Sequence, residues 1–137
     1  MSRESARHRA GLWLAQARDD LRAAQVLQAA GQAAQACFLA QQVGEKAIKA
    51  LLAADDRDMR SHSLSALLRE LGAEPAERWQ RQARVLDKLY APTRHPDALG
   101  DDLPAAVFGP EDAAAALEAA TALLRWSGEA LEASDGF

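Results

Sequence analysis

Residues 12–54 read LWLAQARDDLRAAQVLQAAGQAAQACFLAQQVGEKAIKALLAA, and they decide the fold. In the first half Leu14, Ala17, Leu21, Ala24 and Leu27 recur at spacings of three and four, which lays one apolar stripe along a helix. In the second half Cys37, Ala40, Val43, Ala47, Ile48 and Leu51 do the same. Between the stripes stands Gly31, a residue type that ends helices readily because it takes up left-handed backbone at no steric cost. The spacing predicts helices over 5–30 and 32–54. Joined by almost nothing, they must fold back on each other as an antiparallel hairpin.

Working outward, residues 55–63 (DDRDMRSHS) break the pattern with charge. A short helix fits Leu64 to Leu71, with Ser61 or Ser63 to cap it and Gly72 to close it. Pro75 suits the first turn of a further helix reaching to about residue 90, with Trp79, Ala83, Leu86 and Tyr90 on its inner face. Pro92 and Pro96 forbid its continuation, so 91–109 is expected to be an ordered loop. Pro110 then opens a last helix, with Glu111 and Asp112 placed against its dipole and Leu117, Ala120, Leu124 and Leu131 on its apolar stripe. The tail SDGF is expected to fray. The fold expected is therefore all-α: an up-and-down antiparallel helical bundle of four main helices plus one short helix. It is a single domain over 1–137 with its core in about 5–133.

Composition agrees. Ala and Leu dominate a chain that is 49% hydrophobic and only 5% aromatic, which favours helices over strands. No run of 18 apolar residues occurs, so no membrane span is expected. The first twenty residues lack the apolar core of a secretory signal, and a cytoplasmic location is the expectation. Cys37 is the one cysteine; it excludes an internal disulfide or a cysteine-rich zinc site, and it reads as a small buried apolar residue. Residues 1–95 hold 15 Lys and Arg against 11 Asp and Glu, whereas 96–137 hold Arg125 against nine acids. A nucleic-acid binder needs a basic face, and here only the first two-thirds can supply one.

Two places can carry chemistry. On the second helix Gln42, Glu45, Lys46 and Lys49 lie at i, i+3, i+4 and i+7, a polar strip beside the apolar face, with Glu45 and Lys49 in the favourable i,i+4 order. Spacing alone leaves open whether this is a solvated surface or a hydrogen-bonding wall facing a ligand. The second place is YAPTRHPDAL, residues 90–99, which gathers Tyr90, Thr93, Arg94, His95 and Asp97 between prolines. Asp97 can cap a turn, and a guanidinium held between two prolines has less entropy to lose on gripping a phosphate or carboxylate. It can equally pin the loop by pairing with Asp97 or Glu45. His62, next to Asp55, Asp56 and Asp58, reads as a helix-start histidine, since one histidine and a loose acidic run do not make a metal site. No metal site and no catalytic residue is assigned.

The blocks AQQVGEKAIKALL, HSLSALLREL and VLDKLYAPTRHPDAL, in that order, resemble the HEPN domain family, the nucleotide-binding domain of higher eukaryotes and prokaryotes, in its small stand-alone prokaryotic form. The likeness covers about residues 12–99, and WLAQARDDLRAAQVLQAAGQAAQACFLAQQ is similar to that group's first helix pair. It implies long helices, frequent homodimers, and one of two functions. Some members bind nucleotides and are encoded beside a minimal nucleotidyltransferase, in toxin–antitoxin-like two-protein systems. Others are metal-independent ribonuclease toxins bearing an Arg, four to six residues, then a His near the start of the last major helix.

No His follows His95, so that motif is missing at its expected place, and the Arg57–His62 spacing falls in the loop after the second helix. The resemblance therefore implies a non-catalytic bundle that takes an ATP-like nucleotide, a nucleotidyltransferase partner, or both, with no resident cofactor. The ligand residues expected are Tyr90, Thr93, Arg94, His95, Asp97, Gln42, Glu45, Lys46, Lys49 and His62, with Arg94 and Lys46 on phosphate and Tyr90 or His95 on the base. The alternatives are a ribonuclease acting on RNA through His95 or His62 with an Arg, and a purely structural dimeric interaction module. Two departures stand out: His95 where the family pattern is aromatic, and Gly44 where alanine is usual, which can permit a close helix crossing. A homodimer is expected, with Trp13 and Trp126 at the edges of apolar stripes as interface candidates.

Overall fold

A computed structural model of the chain describes residues 2–93, 100 and 102–134. α1 (Arg3–Ala29) starts on Ser2, whose hydroxyl accepts the Ser5 N–H at 3.1 Å, and buries Ala6, Ala10, Leu14, Ala17 and Ala24. Its end is closed by Gly31 at φ 80, with the Gln32 N–H donating back to the Leu27 carbonyl at 2.8 Å. That left-handed residue turns the chain at once into α2 (Ala33–Ala54), and the two helices pack along their lengths as the expected hairpin.

α7 (Pro110–Ala133) completes the core. Its Asp112 lies near Cys37, and its Ser127 hydroxyl donates to the Ala47 carbonyl at 2.7 Å, so α7 runs parallel to α2. Gly128 sits against Arg18 and the end of α7 meets Arg3 and Arg7, so it runs antiparallel to α1. The buried faces are largely alanine: Ala36, Ala40, Ala47 and Ala50 of α2 and Ala113, Ala116 and Ala120 of α7 are all fully buried. Small side chains let three long backbones approach closely. The Asp112 carboxylate accepts the Gly109 N–H at 2.8 Å and fixes the start of α7.

Three short helices close the fourth side: α3 (Leu64–Leu71), α4 (Ala73–Arg78) and α5 (Gln80–Asp87). α3 has the bounds and the Ser63 cap that the sequence suggests, the hydroxyl accepting the Ala66 N–H at 3.1 Å. The helix expected from Pro75 to about residue 90 is instead two helices broken at Trp79, followed by turns from 88. The break lets the Trp79 ring turn inward to pack at 5.2 Å on Trp126 of α7. Pro75 is the third residue of α4, where a missing N–H costs nothing. A one-turn helix, α6 (Pro104–Val107), interrupts the expected loop and packs on α2. The bundle is thus all-helical, with seven helices among the described residues.

The pieces meet at Gly44. A Cβ there would stand 2.6 Å from Leu64 Cδ2, 2.8 Å from Leu86 Cδ1 and 3.4 Å from Leu123 Cδ1. The glycine is what allows α3, α5 and α7 to converge on the middle of α2.

Candidate functional site

The polar strip of α2 is not a solvated surface. Glu45 is 4% exposed, and the Lys46 and Lys49 side chains are 19% and 13% exposed. The burial comes from α1 on one side and the segment leading into α3 on the other.

Glu45 is the hub. Its Oε2 accepts from Lys49 Nζ at 2.8 Å, and its Oε1 lies 3.0 Å from His62 Nδ1 and accepts from Gln41 Nε2 at 3.2 Å. Burial pushes the carboxyl's pKa up, but the bonds from Lys49, His62 and Gln41 more than reverse this and hold it below its ordinary value. Gln41, itself fully buried, also donates to the His62 carbonyl at 3.0 Å, so both the ring and the backbone of His62 are tied to α2. Lys49 extends the chain of contacts to α1, with its ammonium 5.4 Å from the centre of the Trp13 ring.

Beside this run lies a second, separate one. Lys46 Nζ donates to Asp20 Oδ2 at 2.6 Å, and Gln16 Nε2 donates to Asp20 Oδ1 at 2.8 Å. Lys46 is therefore engaged with α1 and is not presented to a ligand. Gln42 donates to Gln41 Oε1 at 2.7 Å and orients that amide.

On the far side of Glu45, the imidazole of His62 stacks on Tyr90, with ring centres 4.4 Å apart and planes 15° from parallel. The His62 side chain is 59% exposed, and its Nε2 has no hydrogen-bond partner among the described residues. Asp87 brings the two rings together. From the last turn of α5 its carboxylate reaches the start of α3, accepting the Leu64 N–H at 2.6 Å, the Ser65 N–H at 3.2 Å and the Ser65 hydroxyl at 2.8 Å. One carboxylate thus caps α3, which carries His62 at its approach, and fixes the end of α5, which carries Tyr90 just beyond it.

Of the residues singled out in the sequence, the structure joins Glu45, Lys49, His62 and Tyr90 into one contiguous set, with Gln42 behind it. Thr93 is buried and its hydroxyl donates to the Leu89 carbonyl, which closes the turn after α5. Arg94, His95 and Asp97 lie outside the described residues. Arg57, which has the Arg-x4-His spacing to His62, is bound elsewhere, to Asp55 at 2.8 Å and to the Glu70 carbonyl at 2.5 Å. Asp20, Gln16, Gln41 and Asp87 were not legible as site residues. Gln41 carries a weak signal as an amide one turn before Glu45; the others act across elements and carry none. Trp13 and Trp126 are half-buried within the single chain, under Lys49 and against Trp79. Among the described residues no three His, Cys, Asp or Glu side chains group to hold a metal ion, and no helix is long and apolar enough to cross a membrane.

The chain is built on a hairpin of long helices, beside which stand a short cross-capped helix and a histidine pinned to a buried glutamate. Its residues 10–131 match the HEPN domain model, and the chain is a member of that family. Among solved structures it is similar to TT1696 from Thermus thermophilus, at 40% identity over 88% of this chain and 97% of that one, with a TM-score of 0.83. ST0689, an archaeal HEPN homologue, is similar at 34% identity over 90% and 98% of the two chains, with a TM-score of 0.78. An HEPN domain protein from Thermotoga maritima is similar at 26% identity over 88% and 98%, with a TM-score of 0.69. No curated protein matches significantly.

Proposed function

We propose that this HEPN domain is a non-catalytic binding module. It takes a nucleotide-type ligand at the His62–Tyr90 stack, acting alone or with a minimal nucleotidyltransferase as partner. The observation that carries the reading is the stack itself. An imidazole held by a buried carboxylate at Nδ1, packed on one face by Tyr90 and largely open to solvent, is a preorganised platform for a base. Arg94, one residue past Thr93, supplies the phosphate contact in this reading. Lys46 does not, because Asp20 already holds its ammonium.

Calorimetry with ATP at millimolar concentration tests the proposal. Saturable heat is expected from the wild-type chain and none from Arg94→Ala or His62→Ala. Equal heats from all three proteins sink the site.

The Glu45–His62 contact also favours a second reading. A carboxylate-oriented imidazole whose Nε2 has no partner among the described residues has the parts of a general base, as a metal-independent ribonuclease requires. Arg57, which has the Arg-x4-His spacing to His62, does not supply the cation that must face the phosphate, since Asp55 and Glu70 hold it. Cleavage of mixed RNA that is lost in both His62→Ala and Glu45→Gln would establish this reading over the first.

A further inference from the structure

A cavity stands apart from the His62–Tyr90 stack. It lies in the angle between α3, α4 and α5, with a volume of about 450 Å³, well within the range of small-molecule sites. Its floor is apolar: Leu68 and Ala83 are each 1% exposed, and Ala76 packs beside them. Alanines here leave room that larger side chains would fill.

Two guanidiniums line it, Arg69 from the last turn of α3 and Arg84 from α5. Both side chains are exposed, and neither has a hydrogen-bond or ion-pair partner among the described residues. This sets them apart from Arg22 and Arg57, each of which pairs with an acid. Glu77 and Gln80 stand at the same opening. The cavity thus combines a small apolar floor with two arginines, carried on different helices and unpaired among the described residues.

We infer that this cavity between α3, α4 and α5 is a binding site for a compact organic dianion gripped by Arg69 and Arg84, separate from the His62–Tyr90 platform. Two guanidinium charges on different helices are matched by two negative charges, which one carboxylate does not carry. A phosphomonoester, with three oxygens and nearly two charges at neutral pH, or a dicarboxylate supplies them. The apolar floor takes the short carbon skeleton. Glu77 at the opening disfavours longer polyanions, whose further charges would face it, and this separates the site from a general nucleic-acid surface.

Calorimetric titration of the full chain with ribose 5-phosphate and, separately, with succinate tests the inference and distinguishes the two sources. Saturable binding of one or both at low salt is expected. Arg69→Ala and Arg84→Ala should each weaken it about tenfold or more, as expected for loss of a charge-assisted contact. Arg84→Lys should recover only part of the loss, and His62→Ala should leave the affinity unchanged. Both arginines are exposed, so the variants keep the wild-type circular dichroism. No saturable binding of either probe, or binding that survives in the Arg69→Ala/Arg84→Ala double variant, overturns the inference. Because His62 is untouched, failure here leaves the nucleotide reading standing.

Discussion

Gly44→Ala should destabilise the chain, although alanine is the better helix former. The substitution gains up to about 1 kcal/mol of helix propensity. Against this, the new methyl group would stand 2.6 Å from Leu64 Cδ2 and 2.8 Å from Leu86 Cδ1. Both leucines are 0% exposed, so neither can swing into solvent, and each must leave its rotamer or push its helix off α2. Overpacking of this kind costs about 1–3 kcal/mol, and two simultaneous clashes place it in the upper half of that range. The expected net loss is about 1–2 kcal/mol, or roughly 3–8 °C in Tm for a chain of this size. Gly11→Ala is the internal control. That position is also within a long helix, but nothing lies within 4 Å of its added Cβ, so only the propensity gain remains. Thermal and urea unfolding followed by circular dichroism read both variants. If Gly44→Ala stabilises as much as Gly11→Ala, the convergence of α3, α5 and α7 on Gly44 is wrong.

Further outcomes follow from the polar contacts. Asp87→Ala removes one of the two caps on α3, leaving that of Ser63, and should cost about 1–2 kcal/mol in urea unfolding, while Asp87→Asn, which keeps an acceptor, should cost less. Glu45 has a lowered pKa in the fold, so its contribution to stability is complete above its ordinary value of 4.5 and is lost as the pH falls through the folded value. Glu45→Gln should flatten that part of the acid-unfolding curve and, by leaving Lys49 without its partner in a mostly buried position, cost about 3 kcal/mol at neutral pH. Cys37 is fully buried, and burial, with the Asp112 charge adding, raises its thiol to about 11, so a thiol reagent should label it only as fast as the chain unfolds.

The fold was legible where local chemistry is sufficient. The two stripes flanking Gly31, the Ser63 cap, Gly72 and Pro110 mark boundaries that depend only on nearby residues. The break at Trp79 was not legible, because no Pro or Gly marks it; the Trp79–Trp126 contact that accompanies it is tertiary. α6 escaped because a single turn has no periodicity to read. In the candidate site, spacing placed Glu45 and Lys49 on one face of α2 but could not say what covers that face. That depends on His62 arriving from 17 residues away, and on Asp20 meeting Lys46 across 26. Asp87 caps a helix that begins 23 residues before it, a partnership with no local signature.

A nucleotide base that settles on the His62–Tyr90 stack, as proposed, must alter the magnetic environment of the imidazole. The most direct measurement is the NMR signal of the His62 imidazole protons during titration with AMP, with ribose 5-phosphate as the comparison. AMP should shift the His62 ring protons saturably upfield, as stacking under a base requires, whereas ribose 5-phosphate, which lacks a base, should not. Ring signals that stay in place through millimolar AMP, while the fold is intact, would contradict the claim.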